Sequence, residues 1–228
     1  MPDPEFDHFA ESYKSELDKQ KALTGDREKF FRYKVSVLSS LFSSAQRILD
    51  FGCGTGNSIT YLNHFFPQAK IVGYDLSPKS IAVAKKRFEN LFYDDLEQLT
   101  AQENKFDLIF MSCVLHHIPL DKRVAVLKHI STLLNAKGSL CLFEHNPYNP
   151  LTQYLVKTCD LDEGVVLSSM SKTKELLMQA GLVVDRHAYA LFFPILNKFT
   201  LNLEQKLKAV PLGGQYYLVA SSNVAADN

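Results

Sequence analysis

The sequence predicts a doubly wound α/β fold, a mostly parallel sheet covered by helices on both faces. Three observations predict it. Between residues 47 and 143, short apolar runs alternate with segments of helical period, as strands joined by crossover helices do. A glycine-rich turn, Gly52-Cys53-Gly54-Thr55-Gly56, follows the first of those runs at once. The chain then closes as helix, strand, helix, a Pro211-Leu212-Gly213-Gly214 break and strand, which suits a final antiparallel pair at one sheet edge.

Each element has its own signal. Residues 5–19 and 28–41 carry helical periodicity ahead of the first strand, residues 47–51. A helix over 57–66 is stopped by Pro67, and residues 70–74 form a second strand. Ser77 suits a helix N-cap and Pro78 the first helical position, with Ile81, Ala84 and Phe88 on one apolar face. The third strand, after that helix, is poorly marked. Residues 106–114 read as a buried strand, and a helix from about 121 to 135 follows, with Leu127, Ile130 and Leu134 at helical spacing. Lys137-Gly138 ends it before a strand over 139–143. A helix over 172–180, stopped by Gly181, leads to a strand over 182–190. Leu203, Leu207 and Val210 mark the last helix, and residues 215–220 the last strand. Residues 145–171 show weak periodicity and read as a long connection over the sheet's carboxyl edge.

Composition narrows the class. The 228 residues are 46% hydrophobic and 22% charged, enough apolar material for a full core in a single domain. Lysine plus arginine equals aspartate plus glutamate at 25 each, so no net charge draws the chain to nucleic acid or an anionic membrane. The first residues lack a basic segment followed by an apolar one, and no apolar run approaches the roughly 18 residues of a membrane span. Cys53, Cys113, Cys141 and Cys159 lack CxxC spacing and read as buried thiols of a cytoplasmic protein.

The glycine turn is shared by several nucleotide ligands, and its neighbours discriminate. A phosphate-binding P-loop needs Gly-Lys followed by Ser or Thr, and no lysine follows Gly56. The dinucleotide pattern G-x-G-x-x-G needs glycine where Asn57 stands. Asp50 ends the strand ahead of the turn, where a carboxylate repels phosphate and suits an ammonium or sulfonium. Its other reading is a carboxylate bonded to turn amides. Asp75, ending the second strand, can accept both hydroxyls of a ribose; its other reading is a turn or capping aspartate.

Ile48-Leu49-Asp50-Phe51-Gly52-Cys53-Gly54-Thr55-Gly56 closely resembles the first motif of class I S-adenosylmethionine-dependent methyltransferases. Asp75-Leu76-Ser77-Pro78 is similar to their second motif. Phe106-Asp107-Leu108-Ile109 leading to Leu115-His116-His117-Ile118, and Leu134-Asn135-Ala136-Lys137-Gly138-Ser139-Leu140, resemble the small-molecule branch that includes ubiquinone and menaquinone methyltransferases. The match covers residues 46–145, which would be the cofactor-binding core. Residues 1–45 would then be an N-terminal helical cap and residues 146–228 the substrate-facing half. The resemblance implies a Rossmann-like sheet of order 3-2-1-4-5-7-6 with only strand 7 antiparallel.

It also implies roles. Asp50, Gly52, Cys53 and Gly54 would line the donor, Asp75 would clasp its ribose with Leu76 beside it, and Asp95, or alternatively Asp94, would meet the adenine amino group next to Leu96. Ser112 and Cys113 would run under the methionine portion, and Tyr13, in the opening Phe6…Ala10…Tyr13, can approach its carboxylate. For a proton on the acceptor the candidates are His117, after the fourth strand, and His145, ending the fifth; a packing or cofactor-shell role competes. Glu144-His145 alone is too little for a metal, so no metal is expected. Asn146-Pro147-Tyr148 follows the fifth strand rather than the fourth and lacks a second proline, so it reads as a turn and not as the motif of nucleic-acid amino methyltransferases.

The leading expectation is methyl transfer to a small-molecule acceptor of unknown identity. The alternatives are a protein or RNA methyltransferase and a catalytically silent S-adenosylmethionine-binding protein. The run over 189–196 suits a core strand, an acceptor pocket or the face of a homodimer.

Overall fold

The structure, a computed structural model, describes residues 7, 9–10, 19–25, 28–101 and 105–222. Phe6 and Tyr13 lie outside the described residues, as does most of the helix expected over 5–19. The seven strands are β1 (Arg47–Phe51), β2 (Lys70–Tyr74), β3 (Leu91–Tyr93), β4 (Phe106–Ser112), β5 (Leu134–His145), β6 (Leu182–Ala190) and β7 (Gln215–Ser222). Their order is β3-β2-β1-β4-β5-β7-β6. β1 with β2, β2 with β3 and β4 with β5 are parallel, whereas β7 is antiparallel to both β5 and β6. The order and the single reversed strand are those expected.

The chain forms two compact units, one running through Lys105 and including Cys159–Leu161, the other comprising Phe106–Thr158 and the residues from Asp162 on. In the first, β1 and β2 are apolar on both faces, with Ile48, Leu49 and Val72 fully buried, as helix-covered parallel strands must be. Gly73 has no room for a side chain: a Cβ there would lie 2.5 Å from the Phe92 ring and 2.9 Å from Cys53 Sγ. Helix Pro78–Arg87 begins as expected, with the Ser77 hydroxyl accepting the Ser80 N–H at 3.1 Å, and ends in Lys85-Lys86-Arg87, cations suited to a helix C-terminus. Helix Glu28–Leu41 matches its periodicity and buries Val35 and Leu38.

In the second unit, Leu108–Met111 of β4 and Leu140–Phe143 of β5 are wholly buried. Three expectations need correction here. The helix expected over 121–135 is Arg123–Leu133, and β5 starts directly at Leu134 rather than at residue 139. Leu134 pairs with Phe106 before the register shifts, and Asn135 bonds the Asp107 carboxylate and accepts the Lys137 N–H, so the expected turn is absorbed as an irregularity within the strand. The connection over 145–171 contains helix Pro150–Lys157, capped by Asn149 through the Thr152 N–H at 2.9 Å, and a short 3-10 turn, Asp160–Asp162. Two helical turns bearing exposed Leu151 and Tyr154 are too short to establish a period in the pattern.

Candidate functional site

In the first unit the site is built where β1 and β2 end. Gly52 and Gly54 adopt left-handed φ values of 79° and 53°, which turns the chain sharply after Phe51. The Gly52 and Cys53 N–H groups both donate to the Tyr74 carbonyl, at 2.7 and 2.9 Å, tying the turn to the end of β2. The next residue, Asp75, accepts the Gly54 N–H on one carboxylate oxygen at 2.8 Å and the Ser77 N–H on the other at 2.9 Å. Each oxygen keeps lone-pair capacity for a ligand hydroxyl. The glycines differ in purpose: a Cβ on Gly54 would meet nothing within 4 Å, whereas one on Gly56 would strike the Phe88 ring at 2.7 Å. Gly54 leaves clearance for a ligand; Gly56 permits packing. Arg87 braces the outside of the turn through the Thr55 carbonyl at 2.6 Å and the Asn57 side chain at 3.2 Å.

Asp50 is 2% exposed, and its Oδ2 has no hydrogen-bond partner among the described residues. Burial, reinforced by the Asp75 charge and only partly offset by Lys34, pushes its carboxyl up to about 8. Burial also raises Asp75, against the two N–H groups it accepts. Two buried acids thus sit at one turn without sufficient positive charge, an arrangement that a cationic ligand bearing a vicinal diol would complete. These residues fit S-adenosylmethionine: an ammonium and sulfonium for Asp50 and a ribose for Asp75.

Around β3 the expected adenine residues are less enclosed. Asp95 is exposed and caps the unexpected helix Leu96–Thr100, its Oδ1 accepting the Glu97 and Gln98 N–H groups at 2.7 and 3.1 Å, which leaves Oδ2 for a ligand. Leu96 is half-buried and Leu76 is exposed. The Tyr74 phenol is pushed up to about 12 by burial and then by the charges of Asp75, Asp95 and Asp94, so both adenine candidates lie within electrostatic reach of the β2 end. A residue not singled out from the sequence, Asp7, is buried and bonds the Ser77 hydroxyl and, at 3.3 Å, the Lys79 N–H.

In the second unit the end of β4 turns through Cys113, at φ 59°, a left-handed conformation that costs a non-glycine residue ~1–2 kcal/mol. Cys113 donates its N–H to the Phe143 carbonyl at 2.8 Å, and its sulfur accepts the Gln215 side-chain amide at 3.1 Å. Ser112, before it, is half-buried. The 3-10 turn Leu115–His117 follows, and Glu144 of β5 organises it: one carboxylate oxygen accepts the Val114 and Leu115 N–H groups at 3.0 and 2.7 Å, and the other meets His116 Nδ1 at 2.5 Å. Arg123 braces the same turn through the His116 and Ile118 carbonyls and holds Val166 and Ser168 beside it.

Three histidines gather here. The His116 ring centroid lies 4.2 Å from that of His117 and 5.1 Å from that of His145. His145 Nδ1 faces the Gln215 amide at 3.4 Å. Asp162 closes the group, with its Oδ1 3.5 Å from Nε2 of both His116 and His117. Burial opposes charge on His116, but the Glu144 carboxylate outweighs it and raises the imidazole to about 10. Glu144 itself falls to about 2 despite its burial, because of the His116 charge and hydrogen bond. Burial, then the neighbouring His116 charge, lowers His117 to about 3, so that imidazole stays neutral.

The structure therefore brings Asp50, Gly52, Cys53, Gly54 and Asp75 together in one unit, and His117 and His145 together in the other. Sequence reasoning passed over Glu144 as organiser and missed Asp162 and Arg123. Glu144 had a readable signal, a carboxylate closing the apolar run Leu140–Phe143, since a buried charge needs partners. Asp162 had none, because its relation to His116 exists only after folding. The half-buried run Leu191–Phe193 is neither plain core nor open surface; buried Glu204 anchors it by accepting all three of its N–H groups.

Comparison with known proteins identifies the family. A family model described as a methyltransferase domain matches residues 42–185, more than half of the chain. Trans-aconitate 2-methyltransferase of Mycobacterium ulcerans (strain Agy99) is 30% identical over 152 residues, 62% of this chain and 57% of that protein. The match thus spans little more than half of that relative's length. Malonyl-(acyl-carrier protein) O-methyltransferase of Priestia megaterium (strain DSM 319 / IMG 1521) is 25% identical over 221 residues, 88% of this chain and 78% of that one. Among solved structures, magnesium protoporphyrin IX methyltransferase from Synechocystis PCC 6803 with bound SAH has a TM-score of 0.61 at 17% identity, covering 95% of this chain and 97% of the other. At that identity the likeness speaks for the fold alone.

Proposed function

Because the chain belongs to the methyltransferase domain family, we propose that it transfers a methyl group from S-adenosylmethionine to a small-molecule acceptor. The observation that carries this reading is the pair Asp50 and Asp75, buried acids at a glycine turn, one with a carboxylate oxygen that has no partner among the described residues. When bound, S-adenosylmethionine supplies an activated methyl group on a sulfonium, ready for in-line displacement. The protein is left with binding, alignment, exclusion of water and removal of a proton where the acceptor carries one.

On this reading Asp75 accepts the ribose hydroxyls while its two backbone N–H partners hold the carboxylate in place. Asp50 supplies negative charge for the cationic end, with Gly52, Cys53 and Gly54 giving backbone clearance. Leu76, Leu96 and one of Asp95 and Asp94 serve the adenine, and Ser112 and Cys113 the methionine portion. Of the two catalytic candidates His117, lowered to about 3, holds a proton too weakly for a general base, which leaves that role to His145. No helix among the described residues is long and apolar enough to cross a membrane.

The test is incubation with methyl-labelled S-adenosylmethionine and a panel of metabolite extracts, followed by identification of the labelled product. A labelled small molecule is the expected result, and label in protein or RNA would replace this reading. Asp75→Ala should weaken S-adenosylmethionine binding by roughly 10- to 150-fold, the loss of ~1.5–3 kcal/mol for hydrogen bonds to a charged group. Unchanged affinity by calorimetry would remove Asp75 from the site.

A further inference from the structure

We propose that His116, His117 and Asp162 form a binding site for a divalent transition-metal ion of the Zn2+ type. One ligand atom from each converges, with all three within 4.8 Å of one another. The separations are informative. Asp162 Oδ1 lies 3.5 Å from Nε2 of each histidine, too long for good hydrogen bonds to either. Two ligands of one tetrahedral ion, each bonded at ~2.0–2.1 Å, stand roughly 3.3–3.4 Å apart, close to the two separations between Asp162 and the histidines.

A second observation points the same way. His116 is buried, with 1% side-chain exposure, and its Nε2 has no hydrogen-bond partner among the described residues. Its other nitrogen is held by Glu144 at 2.5 Å, and Glu144 is fixed in turn by two backbone N–H groups. That is the arrangement of metal-ligating histidines, in which a carboxylate on Nδ1 fixes ring orientation and aims Nε2 at the ion. Two imidazoles and a carboxylate suit zinc and its transition-metal neighbours rather than Mg2+ or Ca2+, which prefer oxygen donors. The side chains of His117 and Asp162 are each 15% exposed, so an ion can enter from their side and keep a remaining position for water or another ligand.

The proposal stands apart from the donor and acceptor, and binding is read without either. Protein stripped with a chelator is titrated with Zn2+ by calorimetry and with Co2+ by visible absorption. The expected result is one saturable Zn2+ site per chain and the intense d–d bands of tetrahedral Co2+. Asp162→Asn and His117→Gln should each weaken binding about 10-fold or more and bleach the Co2+ bands, while His187→Gln, on strand β6, keeps both signals. Circular dichroism establishes that each variant is folded, and a variant that unfolds is replaced by Asp162→Ser for the same reading. Absence of saturable binding to the wild type overturns the proposal. So does binding that Asp162→Asn and His117→Gln leave unchanged, since the ion then sits elsewhere.

Discussion

On the proposed reading Asp50 should make donor binding dependent on pH, with a sign and size that follow from its burial. The perturbation is Asp50→Asn, which keeps the shape and removes the ionisable group. In the ligand-free fold the carboxyl is raised from 3.8 to about 8, so across that window the folded chain keeps a proton that the unfolded chain releases. Its contribution therefore favours the fold at low pH and is lost as pH rises toward 8. A cationic ligand reverses the preference, because it binds the ionised form. Affinity should then track the ionised fraction, which for a pKa of about 8 grows from about 0.3% at pH 5.5 to about a quarter at pH 7.5. The ratio is roughly 75-fold, or ~2.6 kcal/mol. Calorimetric titration with S-adenosylhomocysteine, which keeps the ammonium, should show this rise together with release of close to one proton at pH 7 in buffers of different ionisation enthalpy. Asp50→Asn should flatten the profile and abolish the release. A wild-type affinity constant within about threefold across the range would sink the argument, since Asp50 would then face no ligand charge.

Other variants test the scaffold. Glu144→Gln leaves buried His116 only the more distant Asp162 carboxylate, at 3.5 Å, and should cost ~3–5 kcal/mol in urea unfolding. The wild-type pair should stabilise most between pH 4.5 and 6.5, failing as pH falls through about 2, where Glu144 protonates, and as it rises through about 10, where His116 loses its proton; a pH profile that Glu144→Gln leaves unaltered would contradict this. Glu204→Ala strands three N–H groups at Leu191, Phe192 and Phe193 and should destabilise by ~2–4 kcal/mol, with protease cutting in this loop first. Gly73→Ala forces the Phe92 ring and Cys53 Sγ apart and should cost ~1–3 kcal/mol, read as a lowered thermal midpoint; an unshifted midpoint means the ring has room to yield.

Much of the fold was legible because its signals are local. Strands β1, β2 and β6 begin and end where their apolar runs do, and Ser77-Pro78 announces a helix start that the structure repeats hydrogen bond for hydrogen bond. What could not be read depends on pairing. β5 reaches back to Leu134 because Phe106 offers it a partner, and no periodicity records that. Helix Pro150–Lys157 is marked by Asn149 and Pro150, but its two turns carry too few residues to establish a period. The glycine turn with its flanking acids was legible for the same local reason, since Asp50, Gly52 and Gly54 sit within five residues and Asp75 follows the adjacent strand. The histidine group was half legible: His116 and His117 are neighbours, whereas Glu144 and Asp162 reach them from other elements.

The two groups share one physical mark. In each unit a carboxylate or imidazole has been carried into the interior and left with an atom unsatisfied, Oδ2 of Asp50 in one and Nε2 of His116 in the other. Folding alone gives no reason to retain Asp50, because an unpartnered buried polar group destabilises by ~1–3 kcal/mol, whereas His116 is also tied to the Glu144 carboxylate through its other nitrogen. Where such an atom is also held rigidly, Asp50 on a strand end and His116 by Glu144 and Arg123, the cost is not relieved by rotation toward water. A fold that bound no ligand would accept an apolar side chain of similar volume at Asp50. Both atoms are accounted for if each completes its shell with a cation from outside the chain, an organic one at Asp50 and a metal ion at His116. Asp50→Leu should then raise the stability of the ligand-free protein or leave it unchanged while abolishing donor binding, whereas His116→Leu should abolish metal binding and also strand the buried Glu144 carboxylate, at a cost of ~3–5 kcal/mol. A large loss of stability on Asp50→Leu would assign that carboxylate a structural partner instead.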